Sequence, residues 1–196
     1  MKRTAAVLIV LAALGGCAGM SSTDGGWTTL LDGGKGFEDW DKLGVAANWR
    51  VVDGVVQADK GEKGNSFLMT RRSYGDFIVR VEFWSSDDAN SGVYMRCTNL
   101  ADITDRTCYE ANIFDQRPDP KYGTGAIVHL SAIQNMPKVG GRWSTYEITA
   151  KGPNITVVLN GVKTAETDQA VVPRGPLGLQ WAQGTIKFRK VEIKPI

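Results

Sequence analysis

The chain has 196 residues and a nearly balanced charge, with 23 Lys and Arg against 21 Asp and Glu. Two of the basic residues, Lys2 and Arg3, lie in an N-terminal leader that we expect to be removed, so that 21 residues of each sign remain. No cluster of Lys or Arg remains that could follow a phosphate backbone. We therefore expect no nucleic-acid partner.

The N-terminus has the pattern of a bacterial lipoprotein signal. Lys2 and Arg3 precede an apolar run over 5–14, which at about ten residues is too short to span a bilayer as a helix but suits a signal peptide. The run ends in Gly15-Gly16-Cys17, which resembles the lipobox in which the cysteine is lipidated after cleavage. An ordinary secretory signal followed by a chance cysteine is the alternative.

Three segments follow from this pattern. Residues 1–16 are predicted to be the lipoprotein signal peptide, 17–26 a lipidated flexible tether of small and polar residues, and 27–196 a single domain large enough to bury a core. Ala18 follows the cysteine in place of Asp, which by the lipoprotein sorting rule favours the outer membrane. We expect a cell-envelope protein whose membrane partner is reached through lipid on Cys17, with the domain facing the periplasm.

Two cysteines remain after lipidation. Cys97 and Cys108 would close a loop of about 12 residues, and in an oxidising compartment such a pair is best explained as a disulfide. A metal-binding or redox-active pair is the alternative, but the C-x-x-C spacing and a nearby histidine are lacking.

The hydrophobic pattern has a period of two almost everywhere, which indicates strands rather than helices. Phe77, Val79, Val81 and Phe83 alternate with Ile78, Arg80, Glu82 and Trp84. Asn160-Gly161 between two further runs is typical of a hairpin with a type I′ turn. The repeated short strands and 23 glycines predict an all-β sandwich, jelly roll or barrel.

Polar side chains on the strand faces that point away from the predicted core are the candidate site. Several strands each offer a carboxylate, guanidinium, amide or phenol on that face, and a curved sheet would gather them into a groove suited to a carbohydrate. The alternative is that they are ordinary solvent-facing residues. The residues concerned are Arg80, Glu82, Tyr94, Arg96, Glu110, Asn112 and Gln180.

These same segments carry a resemblance to a known family. The order and spacing of the pieces, more than any one of them, are similar to the 3-keto-disaccharide hydrolase domain family, long called a domain of unknown function, over about Trp27 to Ile193. The resemblance implies a concanavalin A-like lectin/glucanase jelly roll of two antiparallel sheets. The matching pieces are Leu30–Gly33 with Trp40, Trp49–Gly54, Tyr74–Phe77, Val81–Phe83, Asn90–Arg96, Tyr109–Asp115, Thr124–Ile127, Trp143, Leu159–Gly161, Gly178–Gln180 and Phe188-Arg189.

The resemblance implies cleavage of glycosides already oxidised at C3 of the sugar. The ketone acidifies the C2 proton, a base removes it, the C1 substituent leaves by β-elimination, and water addition completes a net hydrolysis. On this basis Glu82 and Glu110 are the candidate base and acid, and Arg96 the clamp for the enolate or a hydroxyl, with Tyr94 and Gln180 beside it. Asn90, Asn112 and Asp115 are the further candidate sugar contacts.

Two positions depart from the family pattern. Asn112 stands where a glutamine is usual, and Ser144 where an asparagine follows the tryptophan. The shorter amide at 112 would weaken or re-aim a substrate contact, and the short loops of this chain predict an open groove. Both features leave the substrate and the activity itself to be tested.

Other groups and functions receive less support from the sequence. His129 is the only histidine, on an apparent strand over 126–130, and a lone histidine is more often structural than catalytic. With one histidine and two paired cysteines, neither a zinc site nor another cofactor is expected. A structural calcium ion is compatible with the fold, although there is no EF-hand-like loop.

The Glu-x-Asp-x-x-Glu strand of laminarinase-type glucanases does not occur. Because a fold alone does not determine function, two alternatives to an enzyme remain. One is a lectin-like surface lipoprotein that binds glycan without cleaving it. The other is a structural or assembly lipoprotein of the envelope.

Overall fold

The computed structural model describes residues 25–196, which form thirteen strands and two single-turn 3₁₀ helices at Phe37–Asp39 and Pro120–Tyr122. Neither helix has the length and apolar character needed to cross a membrane, and no other helix occurs in this part of the chain. The predicted signal peptide, the predicted lipidation site Cys17 and most of the predicted tether lie outside the described residues. The strands are β1 (Thr28–Asp32), β2 (Trp40–Gly44), β3 (Arg50–Val52), β4 (Val55–Ala58), β5 (Ser66–Tyr74), β6 (Phe77–Ser85), β7 (Ser91–Met95), β8 (Tyr109–Ile113), β9 (Trp143–Lys151), β10 (Asn154–Leu159), β11 (Val162–Thr167), β12 (Gly175–Trp181) and β13 (Ile186–Pro195).

The strands form two antiparallel sheets that pack as a sandwich. One sheet has eight strands in the order β11-β10-β9-β6-β13-β4-β3, with β1 also paired to β13. The other has five strands in the order β2-β5-β12-β7-β8. The predicted all-β sandwich of two antiparallel sheets is confirmed.

The core lies between the sheets and follows the alternation seen in the sequence. Val79, Val81 and Phe83 of β6 are fully buried and belong to the same cluster as Val93 of β7 and Leu179 of β12. Burying a side chain of this size stabilises the fold by roughly 1.5–3 kcal/mol. The period-two pattern therefore identifies the inner face of β6, β7 and β12 correctly.

The predicted hairpin at Asn160-Gly161 is confirmed. Leu159 pairs with Val162 across the turn, and Asn160 and Gly161 have φ angles of 49° and 82°. A type I′ turn needs this left-handed backbone at both central positions, which Asn and Gly adopt more readily than other residues.

In the five-stranded sheet, β7, β8 and β12 are buried on the outer face as well. Cys97 and Cys108 form the predicted disulfide, and the loop between them lies against this face. There Ile103 packs in a second apolar cluster with Phe67 and Met69 of β5. The loop thus forms one wall above the sheet.

The strand predicted over 126–130 is wrong. Residues 127–131 form a tight turn in which the amides of Leu130 and Ser131 donate to the carbonyl of Ile127 at 2.9 and 2.8 Å. His129 sits in this turn with a left-handed φ of 66°. Five residues of alternation are too few to separate a strand from such a turn.

Candidate active site

A polar hollow of about 250 Å³ opens on the outer face of the five-stranded sheet. Side chains from three neighbouring strands line it, and loops that follow or precede those strands contribute its walls. The strand residues are Tyr94, Glu110, Asn112 and Gln180, and residues outside the strands include Asn90, Asp105, Arg117 and Tyr122.

Strand register brings these side chains together. Tyr94 of β7 lies directly opposite Glu110 of β8 on one side and Gly178 of β12 on the other. Directly opposed residues of antiparallel strands have Cβ atoms about 5 Å apart, so their side chains are in contact range. The predicted shared face of Glu110 and Asn112 and the position of Gln180 away from the core are confirmed.

A glycine makes room for the carboxyl group. Gly92 of β7 faces the hollow opposite Asn112, and a Cβ atom placed on it would lie 2.5 Å from Oε1 of Glu110. No side chain fits there while Glu110 keeps its position. Gly92 therefore allows the carboxyl group to lie over the neighbouring strand.

Burial changes the acidity of the carboxyl group. Glu110 is 5% exposed, and this burial raises its pKa to about 8, an effect that the hydrogen bond from Tyr94 partly offsets and the charge of Asp105 increases. At pH 7 Glu110 is therefore mostly protonated. Burial, together with the neighbouring Glu110, also raises the pKa of Tyr94 far above its ordinary value.

One buried acceptor in the hollow has no partner. The Gln180 amide donates from Nε2 to the Tyr94 hydroxyl at 3.1 Å, but its Oε1 accepts no hydrogen bond. Within residues 25–196 it is the one buried side-chain nitrogen or oxygen in this state. Because a buried unsatisfied acceptor costs about 1–3 kcal/mol, it marks a place where a ligand hydroxyl can bind.

The two asparagines of the predicted site both line the hollow, with different duties. The side chain of Asn112 donates from Nδ2 to the backbone carbonyl of Tyr122. The backbone carbonyl of Asn112 accepts from the Tyr146 hydroxyl and the amide of Gly125. It therefore positions the segment that carries Tyr122. Asn90 precedes β7 and pairs through its backbone with Gln183.

Arg96 is not part of the site. β7 ends at Met95, and Arg96 adopts a left-handed φ of 51°, so the alternation that placed it beside Tyr94 is broken. Its guanidinium is fully buried and donates to the carbonyls of Gly75, Gly152 and Val172 and to Oδ1 of Asp76 at 3.0 Å. It ties three loops together at one end of the sandwich.

Glu82 is not part of the site either. It lies on β6, on the outer face of the eight-stranded sheet, and accepts from Arg189 of β13 at 2.7 Å. Glu82 and Glu110 thus point away from opposite sides of the sandwich. The predicted convergence of Glu82, Arg96 and Glu110 is wrong, whereas Glu110 converges with Tyr94, Asn112 and Gln180.

Asp115 has a structural role. Its Oδ1 accepts from the Thr124 hydroxyl at 2.6 Å, and its Oδ2 accepts from the amides of Val139 and Gly140 at 2.7 and 2.8 Å. With these three donors the buried carboxylate is occupied, and it does not line the hollow. It fastens the segment before β9.

Tyr122 and Asp105 line the hollow but were missed in the sequence. Tyr122 ends a single-turn 3₁₀ helix and Asp105 lies in a loop, and in neither does period-two alternation give information about side-chain direction. Asp105 lies within the loop that the Cys97–Cys108 disulfide closes, so the cysteine pair was the one sequence feature that indicated a fixed loop there. Among residues 25–196, no group of three or more His, Cys, Asp and Glu side chains is arranged to hold a metal ion.

A larger hollow of about 570 Å³ lies beside β1, β2 and β5. Its carboxylates, Asp32 and Asp39, are exposed, and Arg71 already pairs with Asp39 and Asp41 on the surface. It therefore lacks the buried acid and the unpaired acceptor that distinguish the smaller hollow.

Comparison with solved structures identifies the class of fold. A candidate glycosyl hydrolase from Parabacteroides distasonis ATCC 8503 superposes with a TM-score of 0.71 at 25% identity, over 87% of this chain and 99% of that one. A β-1,3-1,4-glucanase (lichenase) from a mouse hindgut metagenome gives 0.57 at 16% identity, over 80% and 93% of the chains. The carbohydrate-binding module CBM66 of Bacillus subtilis gives 0.57 at 19% identity, over 86% and 95%. The fold is a concanavalin A-like jelly roll.

The family follows from the sequence match. Residues 26–194 match the family described as the 3-keto-alpha-glucoside-1,2-lyase-like domain, and the chain belongs to this family. No curated protein matches the sequence.

Proposed function

We propose that the hollow cleaves glycosides oxidised at C3 of the sugar, with Glu110 as the acid that protonates the departing oxygen. The observation that carries the proposal is a buried carboxyl group, whose pKa burial raises to about 8, in the same hollow as the unpaired Oε1 of Gln180. The family match and the likeness to glycosyl hydrolases support carbohydrate as the substrate.

The size of the hollow favours a single sugar ring. Its 250 Å³ lies just below the roughly 300–1,000 Å³ of most small-molecule sites. The oxidised ring would occupy it, with a ring hydroxyl donating to Oε1 of Gln180. The aglycone would extend into solvent.

The chemistry needs one proton removed and one supplied. When a base removes the C2 proton beside the C3 ketone, the electron pair forms a C1=C2 double bond and the C1–O bond breaks. The proton of Glu110 passes to the departing oxygen, giving the free alcohol and an unsaturated 3-keto sugar. Addition of water to this enone gives 3-keto-glucose and completes a net hydrolysis. A buried carboxyl group with a pKa of about 8 is suited to donate a proton near neutral pH.

The test uses methyl 3-keto-α- and 3-keto-β-glucosides with the purified protein. We expect release of methanol and appearance of the unsaturated or hydrated 3-keto sugar by NMR, with one anomer preferred. The matched control is the unoxidised methyl glucosides, which should stay intact because their C2 proton is not acidified. Absence of turnover with both keto anomers would overturn the proposal.

A non-catalytic carbohydrate-binding role is the second candidate. The free Oε1 of Gln180 and the polar walls would also bind a sugar without cleaving it, as the likeness to a carbohydrate-binding module allows at the level of fold. Calorimetric titration with the same keto-glucosides separates the two functions. Saturable binding without product would favour the binding module.

We also propose that the protein acts in the cell envelope, lipid-anchored at Cys17. The lipobox-like sequence and the Cys97–Cys108 disulfide, which suits an oxidising compartment, support this location. Metabolic labelling with palmitate in a lipoprotein-processing bacterium should mark the wild type and leave Cys17→Ser unlabelled. Labelling of the serine variant, or lack of labelling in both, would contradict the anchor.

A further inference from the structure

Three titratable side chains form a hydrogen-bonded chain on the wall of the hollow. The Tyr122 hydroxyl lies 3.2 Å from Nδ1 of His129, and Nε2 of His129 lies 3.0 Å from Oδ2 of Asp105. Tyr122 and Asp105 both line the hollow, while His129 lies between them with a side chain 18% exposed. His129 is the single histidine of the sequence.

Separate structural devices hold each member in place. Tyr122 ends the turn Pro120–Tyr122, whose start is capped by Asp119, and its carbonyl is held by Asn112. His129 lies in a tight turn with a left-handed φ, which needs support from its surroundings in a residue other than glycine. Such a backbone aims the imidazole at both partners.

The loop that carries Asp105 is fastened as well. The Cys97–Cys108 disulfide closes it. Thr104 and Thr107 are linked by the bond from the Thr104 amide to the Thr107 hydroxyl at 3.0 Å, and the Thr107 hydroxyl donates to the carbonyl of Asp102 at 2.7 Å. The carboxylate is therefore held at the imidazole.

The hydrogen bonds assign the tautomer. An ionised Asp105 can only accept, so Nε2 of His129 carries the proton and Nδ1 is left to accept from the Tyr122 hydroxyl. This is the order in which a carboxylate orients an imidazole and the imidazole takes a proton from a hydroxyl group. The guanidinium of Arg117 lies 5.1 Å from the centre of the Tyr122 ring, where it favours negative charge on the phenol.

We propose that Tyr122 is the base that removes the C2 proton, and that His129 and Asp105 are the residues that position and activate it. This inference rests on the proposed function and supplies the partner that Glu110 needs. Tyr122 gives its hydroxyl proton to Nδ1 of His129, and the resulting phenolate takes the C2 proton. The C2–H electron pair forms the C1=C2 double bond, and the departing oxygen takes the proton of Glu110.

The proton balance closes after one turnover. At the end of the elimination Tyr122 is a neutral phenol, His129 is an imidazolium paired with Asp105, and Glu110 is a carboxylate. Transfer of one proton from His129 to Glu110 through solvent restores the starting state. The other charged and titratable groups that line the hollow beside this relay are Tyr94, Glu110 and Arg117.

The test separates proton removal from bond cleavage. The probe is the 3-keto form of 1,5-anhydroglucitol, which has the C2 proton but no leaving group at C1, and exchange of that proton for deuterium is followed by NMR in D2O. Tyr122→Phe should slow exchange and elimination by about 100-fold or more, in kcat rather than KM. Glu110→Gln should keep exchange within about threefold of wild type but lose elimination of the methyl keto-glucoside.

The matched control is Tyr109→Phe. It removes a tyrosine hydroxyl on β8 that lies outside the hollow and accepts a hydrogen bond from the Val172 amide. It should leave both reactions near wild type. The reverse pattern, with exchange stopped in Glu110→Gln and kept in Tyr122→Phe, would overturn the base assignment and the acid role of Glu110, while leaving the cleavage of keto-glucosides by this hollow intact. If wild type exchanges the C2 proton, Tyr122→Phe does not, and wild type cleaves no keto-glucoside, the proposed cleavage fails and the base assignment stands.

His129 has its own test, which also serves if Tyr122→Phe does not fold. His129→Ala should lower the exchange rate and change the acid limb of its pH profile, which reports the group that must be deprotonated. Added imidazole should restore part of the rate. An unchanged pH profile without rescue would show that His129 only fastens the loops, and would overturn the relay.

Discussion

Strands of both sheets alternate inward apolar with outward polar residues, but the outward polar residues have different surroundings on the two faces of the sandwich. On the eight-stranded sheet, Arg80 pairs with Glu147 at 2.8 Å and Arg189 with Glu82 at 2.7 Å, and all four side chains stay partly exposed. On the five-stranded sheet, Glu110 and Tyr94 are buried beneath loops.

The difference shows that the covering loops, more than the strands, create the chemistry. An exposed carboxylate beside a guanidinium is solvated and screened, so it stays an ordinary ion pair. Under the disulfide loop the same residue type loses water, its pKa rises, and it faces a hollow. The substitutions below compare the two faces directly.

The largest expected difference is in catalysis. Glu110→Gln should lower elimination of methyl 3-keto-glucosides by roughly 10²–10⁴-fold, because an amide cannot supply the proton, whereas Glu82→Gln should stay within about twofold. The 3-keto p-nitrophenyl glucosides, whose leaving group needs little acid assistance, should be much less affected in Glu110→Gln. Equal losses in the two variants, or equal losses with both leaving groups, would contradict the acid role.

The next difference is in the free energy of unfolding that is lost when an arginine is replaced. Arg96→Met leaves Asp76 and three carbonyl groups without their buried donor and should lower the free energy of unfolding by about 3–5 kcal/mol. Arg189→Met removes an exposed partner of Glu82 and should cost about 0–1 kcal/mol. Urea denaturation of both variants measures this, and similar midpoints would contradict the structural role of Arg96.

The buried acid also makes stability depend on pH. The pKa of Glu110 is about 8 in the folded protein and near 4.5 when unfolded, so between these values the folded state binds more protons. Stability should therefore fall as pH rises from about 5 to 8, by on the order of 1 kcal/mol per pH unit, and level off above 8. Urea denaturation at several pH values should show this slope in wild type and lose it in Glu110→Gln. Glu82→Gln should keep the slope, and its loss there would contradict the assignment to Glu110.

Apart from the strand wrongly expected over 126–130, alternation was sufficient to predict strands such as β6, β7, β8 and β12 with the face that meets the core, and the Asn160-Gly161 hairpin. It also placed Tyr94, Glu110 and Gln180 on a common outward face, because alternation is a local property of the chain. The disulfide was predicted because Cys97 and Cys108 are the two cysteines that remain beside the predicted lipidation site.

The errors concern information that alternation does not contain. The pattern of β6 says that Glu82 points away from the core, but not which sheet β6 joins, and the two sheets have opposite outer faces. The prediction for Arg96 failed because β7 ends at Met95 and Arg96 itself has a left-handed backbone, which interrupts the strand alternation. Tyr122 and Asp105 reach the hollow from loops whose course depends on tertiary contacts.

The smallest expected effect comes from removing the disulfide, and only part of it should be confined to one face. The Cys97→Ser/Cys108→Ser double variant should lose about 2–3 kcal/mol of stability, because the closed loop of about 12 residues gains freedom in the unfolded chain. Released loop motion should also displace Asp105 and lower the turnover of keto-glucosides.

Hydrogen exchange shows where that effect falls. In the double variant, amides of 81–84 and 144–147 on the eight-stranded sheet should exchange faster only by the factor that the loss of global stability sets, while those of 93–95 and 109–112, beneath the loop, should exchange faster still because the loop opens locally. An equal change over both sheets would mean that the loop opens only when the whole sandwich unfolds, and that the two faces are less independent than their side chains indicate. Unchanged exchange with lowered turnover would limit the role of the disulfide to the position of Asp105.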